Sequence, residues 1–166
     1  MTTGEPPAPR RQHRTLLVGA VAISVTWAWV AVAALSWSHF SPGAGWVRVG
    51  SLEDVRGKGV TSVPAVPAYV VADPPRTPIT LLAQSPHLGE RITYCRSSGW
   101  FEDLAHGAKF DREGNYRLGP AEHGLDRLAT LVRDGVVWVN PNEITLGPAK
   151  GSSDGNPPAG PFCQGA

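Results

Sequence analysis

Residues 91–140 decide the predicted fold, and they run RITYCRSSGWFEDLAHGAKFDREGNYRLGPAEHGLDRLATLVRDGVVWVN. Short runs of β-branched and aromatic residues alternate in this stretch with glycine, asparagine and aspartate. Asp134-Gly135 separates the last two runs and predicts a type I′ hairpin, which needs positive φ at both central residues. Asp111–Asn115 predicts a longer hairpin turn. Short strands at regular spacing favour a small antiparallel sandwich or barrel.

The same pattern extends towards the N-terminus, and the predicted class is all-β. No helical pattern long enough to connect parallel strands interrupts it. Five prolines between Val60 and Pro78 are expected to keep that region out of any central strand. The predicted strands are Trp46–Val49, Ala68–Val71, Ile79–Ala83, Arg91–Cys95, Lys109–Phe110, Tyr116–Leu118, Ala129–Arg133 and Val136–Asn140.

An apolar segment precedes the β-rich region. No charged residue lies between Thr15 and Ser38, and a helix of this length covers roughly 30 Å, the thickness of the bilayer core. Three arginines precede the segment, so the positive-inside rule predicts a single-pass cell-membrane protein with a cytoplasmic N-terminus and an extracytoplasmic domain. The predicted parts are a cytoplasmic segment at 1–14, a transmembrane anchor at 15–37, a linker at 38–45, a folded domain at 46–147 and a disordered tail at 148–166.

Two export signals are alternatives to an uncleaved anchor. Ala31-Val32-Ala33 would serve as the cleavage site of a signal peptide, although the apolar segment is longer than the roughly 7–15 residues usual there. Arg10-Arg11 is a weak match to a twin-arginine signal. The net charge of +1 does not favour a nucleic-acid partner.

One motif carries a family resemblance. His106-Gly107-Ala108-Lys109-Phe110-Asp111, followed after a turn by Gly119-Pro120-Ala121, resembles the second half of a Rieske [2Fe–2S] domain. In that family a Cys-x-His pair on one loop and a Cys-x-x-His pair on a second loop hold the two irons. The resemblance covers residues 46–147 and implies an ISP-type Rieske fold. Together with the anchor, it implies a membrane-anchored protein similar to respiratory Rieske proteins.

The cluster ligands that this resemblance implies are incomplete. Cys95 and His106 occupy two of the four ligand positions. Ser97 and Asp103 occupy the others, with hard oxygen donors where the family has an imidazole and a thiolate. Five residues separate Ser97 from Asp103, far fewer than in the family. We therefore expect no cofactor, with a [2Fe–2S] cluster as the alternative.

Cys95 and Cys163 are the two cysteines of the chain and form a disulfide candidate. Both are predicted to face an oxidising space, where disulfides persist. The bond would close a loop of nearly 70 residues and stabilise the fold by roughly 4 kcal/mol in the chain-entropy model. A free thiol and a cluster ligand at Cys95 are the alternatives.

Histidines offer a second kind of site. His106 and Asp103 could bind a mononuclear metal such as zinc together with His87 or His123, since imidazole and carboxylate are zinc ligands. The competing interpretation of His106 is a loop histidine held by the backbone. A serine hydrolase is not predicted, because the chain has no Gly-x-Ser-x-Gly turn.

These features predict an accessory or structural subunit of a membrane complex of the respiratory type. The alternatives are a [2Fe–2S] electron-transfer protein similar to the iron–sulfur subunit of quinol–cytochrome c reductase, and a mononuclear metal-binding module. If redox-active, the chain would be an electron-transfer subunit rather than a stand-alone enzyme. We expect Cys95, Ser97, Asp103 and His106 to lie at one tip of the domain. Trp100 or Phe101 would fill the space between the loops, because an empty cluster pocket would be a costly cavity.

Overall fold

The structure, a computed structural model, describes residues 25–32, 42–152 and 155–163. Residues 25–32 are helical and exposed. None of the helices within these three ranges is long and apolar enough to cross a membrane. The predicted cytoplasmic segment, most of the predicted anchor and residues 38–41 of the linker lie outside the described residues. Residues 42–163 belong to a separate compact unit.

Ten strands and one short helix make up the described part of this unit, and all strand pairs are antiparallel. One sheet has six strands in the order β1-β10-β9-β4-β3-β2, and the other has four in the order β5-β6-β7-β8. The elements are β1 (Val47–Ser51), α1 (Leu52–Lys58), β2 (Val60–Val63), β3 (Ala68–Val71), β4 (Ile79–Leu82), β5 (Ile92–Tyr94), β6 (Phe101–Asp103), β7 (Lys109–Phe110), β8 (Tyr116–Leu118), β9 (Arg127–Arg133) and β10 (Val136–Thr145). The predicted antiparallel, mostly β class is confirmed.

The hairpin at Asp134-Gly135 is also confirmed. Asp134 has φ 51° and Gly135 has φ 71°. Positive φ at both centres is the requirement of a type I′ turn, whose twist matches that of the strands it joins. Arg133 and Val136 are paired directly across the turn, so β9 and β10 form the tight hairpin that the dipeptide predicts.

The proline-rich region does not behave as predicted. β3 lies between β2 and β4, so the expectation that residues 60–78 stay out of any central strand is wrong. The prolines at 64 and 67 stand in the turn before β3 and those at 74, 75 and 78 follow it, so the strand keeps all its N–H donors.

Helix α1 was not predicted, although its boundaries have local signals. The side chain of Ser51 accepts a hydrogen bond from the Asp54 backbone N–H at 3.1 Å, as an N-cap does. Gly59 ends the helix with φ 69°. The helix is only seven residues long, too short for apolar periodicity to show in the sequence.

Two hydrophobic clusters hold the unit together, and the alternation of side chains along β3 connects them. Val70 belongs to the cluster that includes Val55 of α1. Its neighbour Val71 belongs to the cluster that includes Phe101 and Phe110 of the four-stranded sheet. Because successive strand residues point to opposite faces, the six-stranded sheet contributes to both clusters. The second cluster fixes the four-stranded sheet, which carries every predicted site residue from Cys95 to His106.

Candidate functional site

The turn between β5 and β6 carries Cys95. The Cys95 N–H donates to the Trp100 carbonyl at 2.8 Å, and the Gly99 N–H donates to the Cys95 carbonyl at 2.9 Å. Gly99 has φ 73°, a conformation that glycine adopts without the steric cost other residues incur. The turn therefore places Cys95 at the end of β5 and turns the chain straight back into β6.

Cys95 forms a disulfide with Cys163, and their Cα atoms are 5.6 Å apart. The Cys95 side chain is fully buried, whereas Cys163 is exposed. The Ser97 hydroxyl lies 3.1 Å from the Cys95 sulfur and 3.6 Å from the Cys163 sulfur. The side chains of Cys95 and Ser97, two of the predicted ligand positions, thus lie next to each other. The Cys95 sulfur is bonded to Cys163.

The disulfide fastens residues 155–163, the C-terminal strap, to this turn. The Ala159 N–H donates to the Ser98 carbonyl at 2.8 Å. The Phe162 ring lies 5.6 Å from the Trp100 ring, and the Lys109 ammonium lies 4.5 Å from the Phe162 ring centre. Within the predicted disordered tail, residues 155–163 thus contact the domain, and a covalent bond and ring contacts offset the entropy of ordering them.

Glu102 lies beneath the strap, and sequence reasoning missed it. Its side chain is 0% exposed. Its Oε1 accepts hydrogen bonds from the Ser98 hydroxyl at 3.0 Å and from the Cys163 backbone N–H at 3.2 Å. The Lys109 ammonium lies 3.6 Å from Oε2. Three donors thus compensate a buried carboxylate, as burial of a charge requires.

One signal in the sequence could have identified the pair of Glu102 and Lys109. Glu102 and Lys109 are directly opposite each other in the β6–β7 hairpin, and Phe101 faces Phe110 one position away. Opposite charges next to two facing aromatics are typical of cross-strand neighbours. This signal is visible only if Phe101–Asp103 is a strand, whereas the family resemblance assigns this stretch to the ligand loops.

The turn between β6 and β7 carries Asp103 and His106. Oδ1 of the fully buried Asp103 accepts hydrogen bonds from the backbone N–H groups of Ala105 and His106, both at 3.0 Å. His106 Nδ1 lies 3.7 Å from Asp103 Oδ2. Burial alone would raise the pKa of Asp103, but the hydrogen bonds from the backbone N–H groups of His106 and Ala105 hold that pKa below its usual range. The Asp103 carboxylate therefore stabilises the turn between β6 and β7 by accepting hydrogen bonds from its backbone.

His87 and His123, the other candidate ligands of a mononuclear site, have different environments. The His87 ring packs edge-on against the His106 ring with centroids 5.4 Å apart. His123 Nδ1 lies 2.7 Å from the Gly124 carbonyl and 3.6 Å from Asp126. Within residues 42–152 and 155–163, the side-chain donors that converge as a possible metal site are those of Cys95, Glu102 and Cys163. The histidines do not contribute to that group.

The two halves of the predicted site lie at opposite ends of β6. Tyr94 pairs with Phe101 next to the Cys95 turn, and Ile92 pairs with Asp103 next to the His106 turn. β6 has three residues, so about 10 Å of strand separates the turns. The structure brings Cys95 to Ser97 and Asp103 to His106, but it does not join the two pairs at one tip.

Trp100 and Phe101 do not fill a space between two loops. Phe101 is fully buried in the core between the rings of Tyr69 and Tyr94, at 5.3 Å and 5.1 Å. Trp100 is buried under the strap against Phe162, and the Arg117 guanidinium lies 5.6 Å from its ring centre. Each aromatic has a separate role, one in the core and one under the C-terminal strap.

Comparison with solved structures gives several similar proteins. The chain is similar to the plasma membrane Rieske protein PetC3 of the cyanobacterium Synechocystis PCC 6803, with 28% identity over 56% of this chain and 97% of that chain and a TM-score of 0.48. It is similar to a chain of a hyperthermophilic respiratory Complex III, with 17% identity, 72% and 97% coverage and a TM-score of 0.45. NdmA of Pseudomonas putida CBB5, solved with caffeine, is similar at 16% identity over 57% of this chain and 32% of that chain, with a TM-score of 0.36.

No protein-family model and no curated protein sequence matches the chain. All three TM-scores are low, so these likenesses by themselves assign no function.

Proposed function

We propose that residues 42–163 form a Rieske-like domain that holds no [2Fe–2S] cluster and acts as an accessory subunit of a membrane complex. The His-Gly-x-x-Phe-Asp motif and the antiparallel, two-sheet architecture support the likeness. The arrangement of the two turns supports the loss of the cluster. That arrangement is the observation on which the proposal rests.

A [2Fe–2S] cluster of this kind needs both ligand loops at the same tip of the domain. Two turns joined by an outgoing and a returning strand can lie side by side. Two turns joined by the single strand β6 lie at its opposite ends. The short connection between Ser97 and Asp103 leaves room for one strand only, so the two ligand pairs cannot share one cluster without refolding of the sheet.

The individual residues do not fit the cluster either. Cys95 is bonded to Cys163 and is therefore not available as a thiolate. Oδ1 of Asp103 is occupied by two backbone N–H groups of its own turn. Ser97 supplies a neutral hydroxyl where the family has an imidazole. Thiolates and imidazoles are the donors that these clusters use, and the single imidazole of His106 does not make a ligand set.

The accessory role is supported by exposed leucines on neighbouring turns. Leu104, in the His106 turn, is 47% exposed, and Leu88, in the turn that carries His87, is 65% exposed. The contact of His87 with His106 keeps the two turns together. Apolar side chains held at one end of a rigid sheet are suited to docking on a partner protein of the membrane.

The cluster is tested by iron reconstitution of the purified full-length chain, followed by iron quantification, visible absorption and EPR after reduction. We expect a colourless protein with no bound iron and an unchanged circular dichroism spectrum. A brown protein with two irons per chain and a reducible EPR signal would establish the electron-transfer alternative. One metal ion per chain that is lost in His106→Ala would establish the mononuclear alternative.

Docking is tested separately, by native electrophoresis of membranes that contain the tagged full-length chain. We expect the tagged chain to migrate with a respiratory-type complex, and we expect the Leu104→Asp variant of the chain to migrate apart from that complex. The matched control Leu146→Asp changes another exposed leucine, 70% exposed and outside these turns, and should have no effect. His106→Ala should also stay bound. Migration of the unaltered chain as a free monomer would contradict the accessory role.

A further inference from the structure

The sulfur atoms of Cys95 and Cys163 and a carboxylate oxygen of Glu102 all lie within 4.8 Å of one another. Two of these three donors are bonded to each other as a disulfide, so the group cannot hold a metal in its present form. Reduction would free two thiol groups beside a buried carboxylate that already faces them. We propose that the reduced form of this cluster is a binding site for one zinc ion.

The geometry requires only small movements. Zinc binds tetrahedrally with Zn–S bonds of about 2.3 Å and Zn–O bonds of about 2.0–2.2 Å, which places its ligand atoms roughly 3.5–3.8 Å apart. The sulfur atoms must therefore separate by roughly 1.7 Å from their bonded distance. Cys163 is exposed at the end of the strap and can supply that movement, while Cys95 stays fixed just after β5 and Glu102 stays fixed in the middle of β6, opposite Thr93.

The charges also balance. Glu102 is fully buried beside the Lys109 ammonium, and the charges of these two side chains offset each other. Reduction followed by loss of two thiol protons adds two negative charges, and a zinc ion adds two positive charges. The added charges therefore cancel, which is what a buried group of charges favours. A reduced site without metal would have to keep both thiols protonated or bury excess negative charge.

Hydrogen bonds are already in place for the thiolates. The Ser97 hydroxyl lies close to both sulfur atoms and can donate to one of them. The Cys163 backbone N–H and the Ser98 hydroxyl hold Oε1 of Glu102 and orient its carboxylate. Such outer contacts fix the orientation of ligands around a metal. With two thiolates and one carboxylate as protein ligands, a water molecule would complete the tetrahedron.

The chemistry is a two-electron reduction. A phosphine reductant transfers two electrons to the disulfide, takes up oxygen from water and becomes the phosphine oxide, and the two sulfur atoms receive the two protons of that water. Zinc then displaces those two protons when it binds the sulfurs. The metal therefore holds the C-terminal strap in place where the disulfide did before.

The experiment uses the purified full-length chain, oxidised or reduced with phosphine under anaerobic conditions. Zinc binding is measured by competition with a chromophoric chelator, and Co²⁺ reports thiolate ligation through its sulfur-to-metal charge-transfer band. We expect one zinc ion per reduced chain, none per oxidised chain, and protection of both cysteines from alkylation. Binding by the oxidised chain with equal affinity, or no binding by the reduced chain, would overturn the proposal.

Variants assign the ligands. Cys163→Ser should abolish the thiolate band, and Glu102→Gln should weaken zinc binding by at least the roughly 10–100-fold that loss of an outer contact causes. Glu122→Gln, an exposed control, should leave affinity unchanged. Unchanged affinity in Glu102→Gln would refute the carboxylate ligand. Sensitivity to His106→Ala would point to the mononuclear alternative described above, so the two proposals fail in different ways.

Discussion

Replacement of Cys163 by serine should lower the stability of the domain substantially. The disulfide joins two cysteines that are 68 positions apart in the sequence. In the chain-entropy model a loop of this length raises the free energy of unfolding by about 4 kcal/mol, because the unfolded chain loses conformational freedom. Cys163 is the better position to change, because it is exposed whereas Cys95 is buried.

The measured decrease in the free energy of unfolding of Cys163→Ser should be smaller than about 4 kcal/mol. In Cys163→Ser the C-terminal strap can leave the folded domain and regain its own entropy, which limits the loss to the free energy of the contacts it abandons. These contacts include the Phe162–Trp100 ring pair, the approach of Lys109 to Phe162 and one backbone hydrogen bond. Ring contacts, cation–π contacts and a backbone hydrogen bond contribute about 1 kcal/mol each, so we expect a loss of roughly 2–3 kcal/mol.

Two measurements separate the contributions. Urea unfolding followed by circular dichroism gives the total loss, and tryptophan fluorescence in the absence of denaturant reports exposure of Trp100 when the strap leaves. Ser97→Ala is the matched control, because it removes a hydroxyl beside the same sulfur atoms without breaking the bond, and should cost less than about 0.5 kcal/mol. A loss in Cys163→Ser no larger than that of the control, with unchanged fluorescence, would refute the reasoning.

Three further predictions concern residues of the four-stranded sheet. Lys109→Met removes the ammonium from the fully buried Glu102, and we expect a loss of about 3–5 kcal/mol in urea unfolding, with recovery in the double variant that also carries Glu102→Gln. The pKa of Asp103 is lowered in the folded state, so the ionised carboxylate adds to the free energy of unfolding above the ordinary carboxyl pKa, and this contribution is lost as the pH falls through the lowered pKa. Asp103→Asn should therefore flatten the acid side of the stability–pH profile. An unchanged profile would argue against this role of Asp103. Phe101→Ala should cost about 3–5 kcal/mol by thermal or urea unfolding, because its ring fills the core between two tyrosines, and a loss below 1 kcal/mol is the contrary result, about what a surface contact gives.

The sequence predicted the elements whose formation depends on neighbouring residues. Strands β3, β7 and β8 have the predicted bounds, and the Asp134-Gly135 turn has the predicted backbone. Turn chemistry and alternation act over a few residues, so they are legible without knowledge of the rest of the chain. Shortness alone does not explain the missing strand β6, because β7 and β8 are as short. The family resemblance assigns residues 98–102 to the space between two ligand loops, and this assignment hides the strand.

That single short strand decides the arrangement of the candidate site. With residues 98–102 as a loop, Cys95 and His106 would share a tip; with β6 between them, they lie at opposite ends. The sequence by itself supplied the motif, the incomplete ligand set and the two cysteines. The sequence also named Cys95–Cys163 as a disulfide candidate, with a free thiol as an alternative, and the tertiary structure decided for the bond. Only the tertiary structure placed the C-terminal strap over Trp100 and buried Glu102 beside Lys109. These contacts join residues far apart in the chain or depend on strand pairing, and a sequence pattern does not specify pairings that are set by packing of the whole domain.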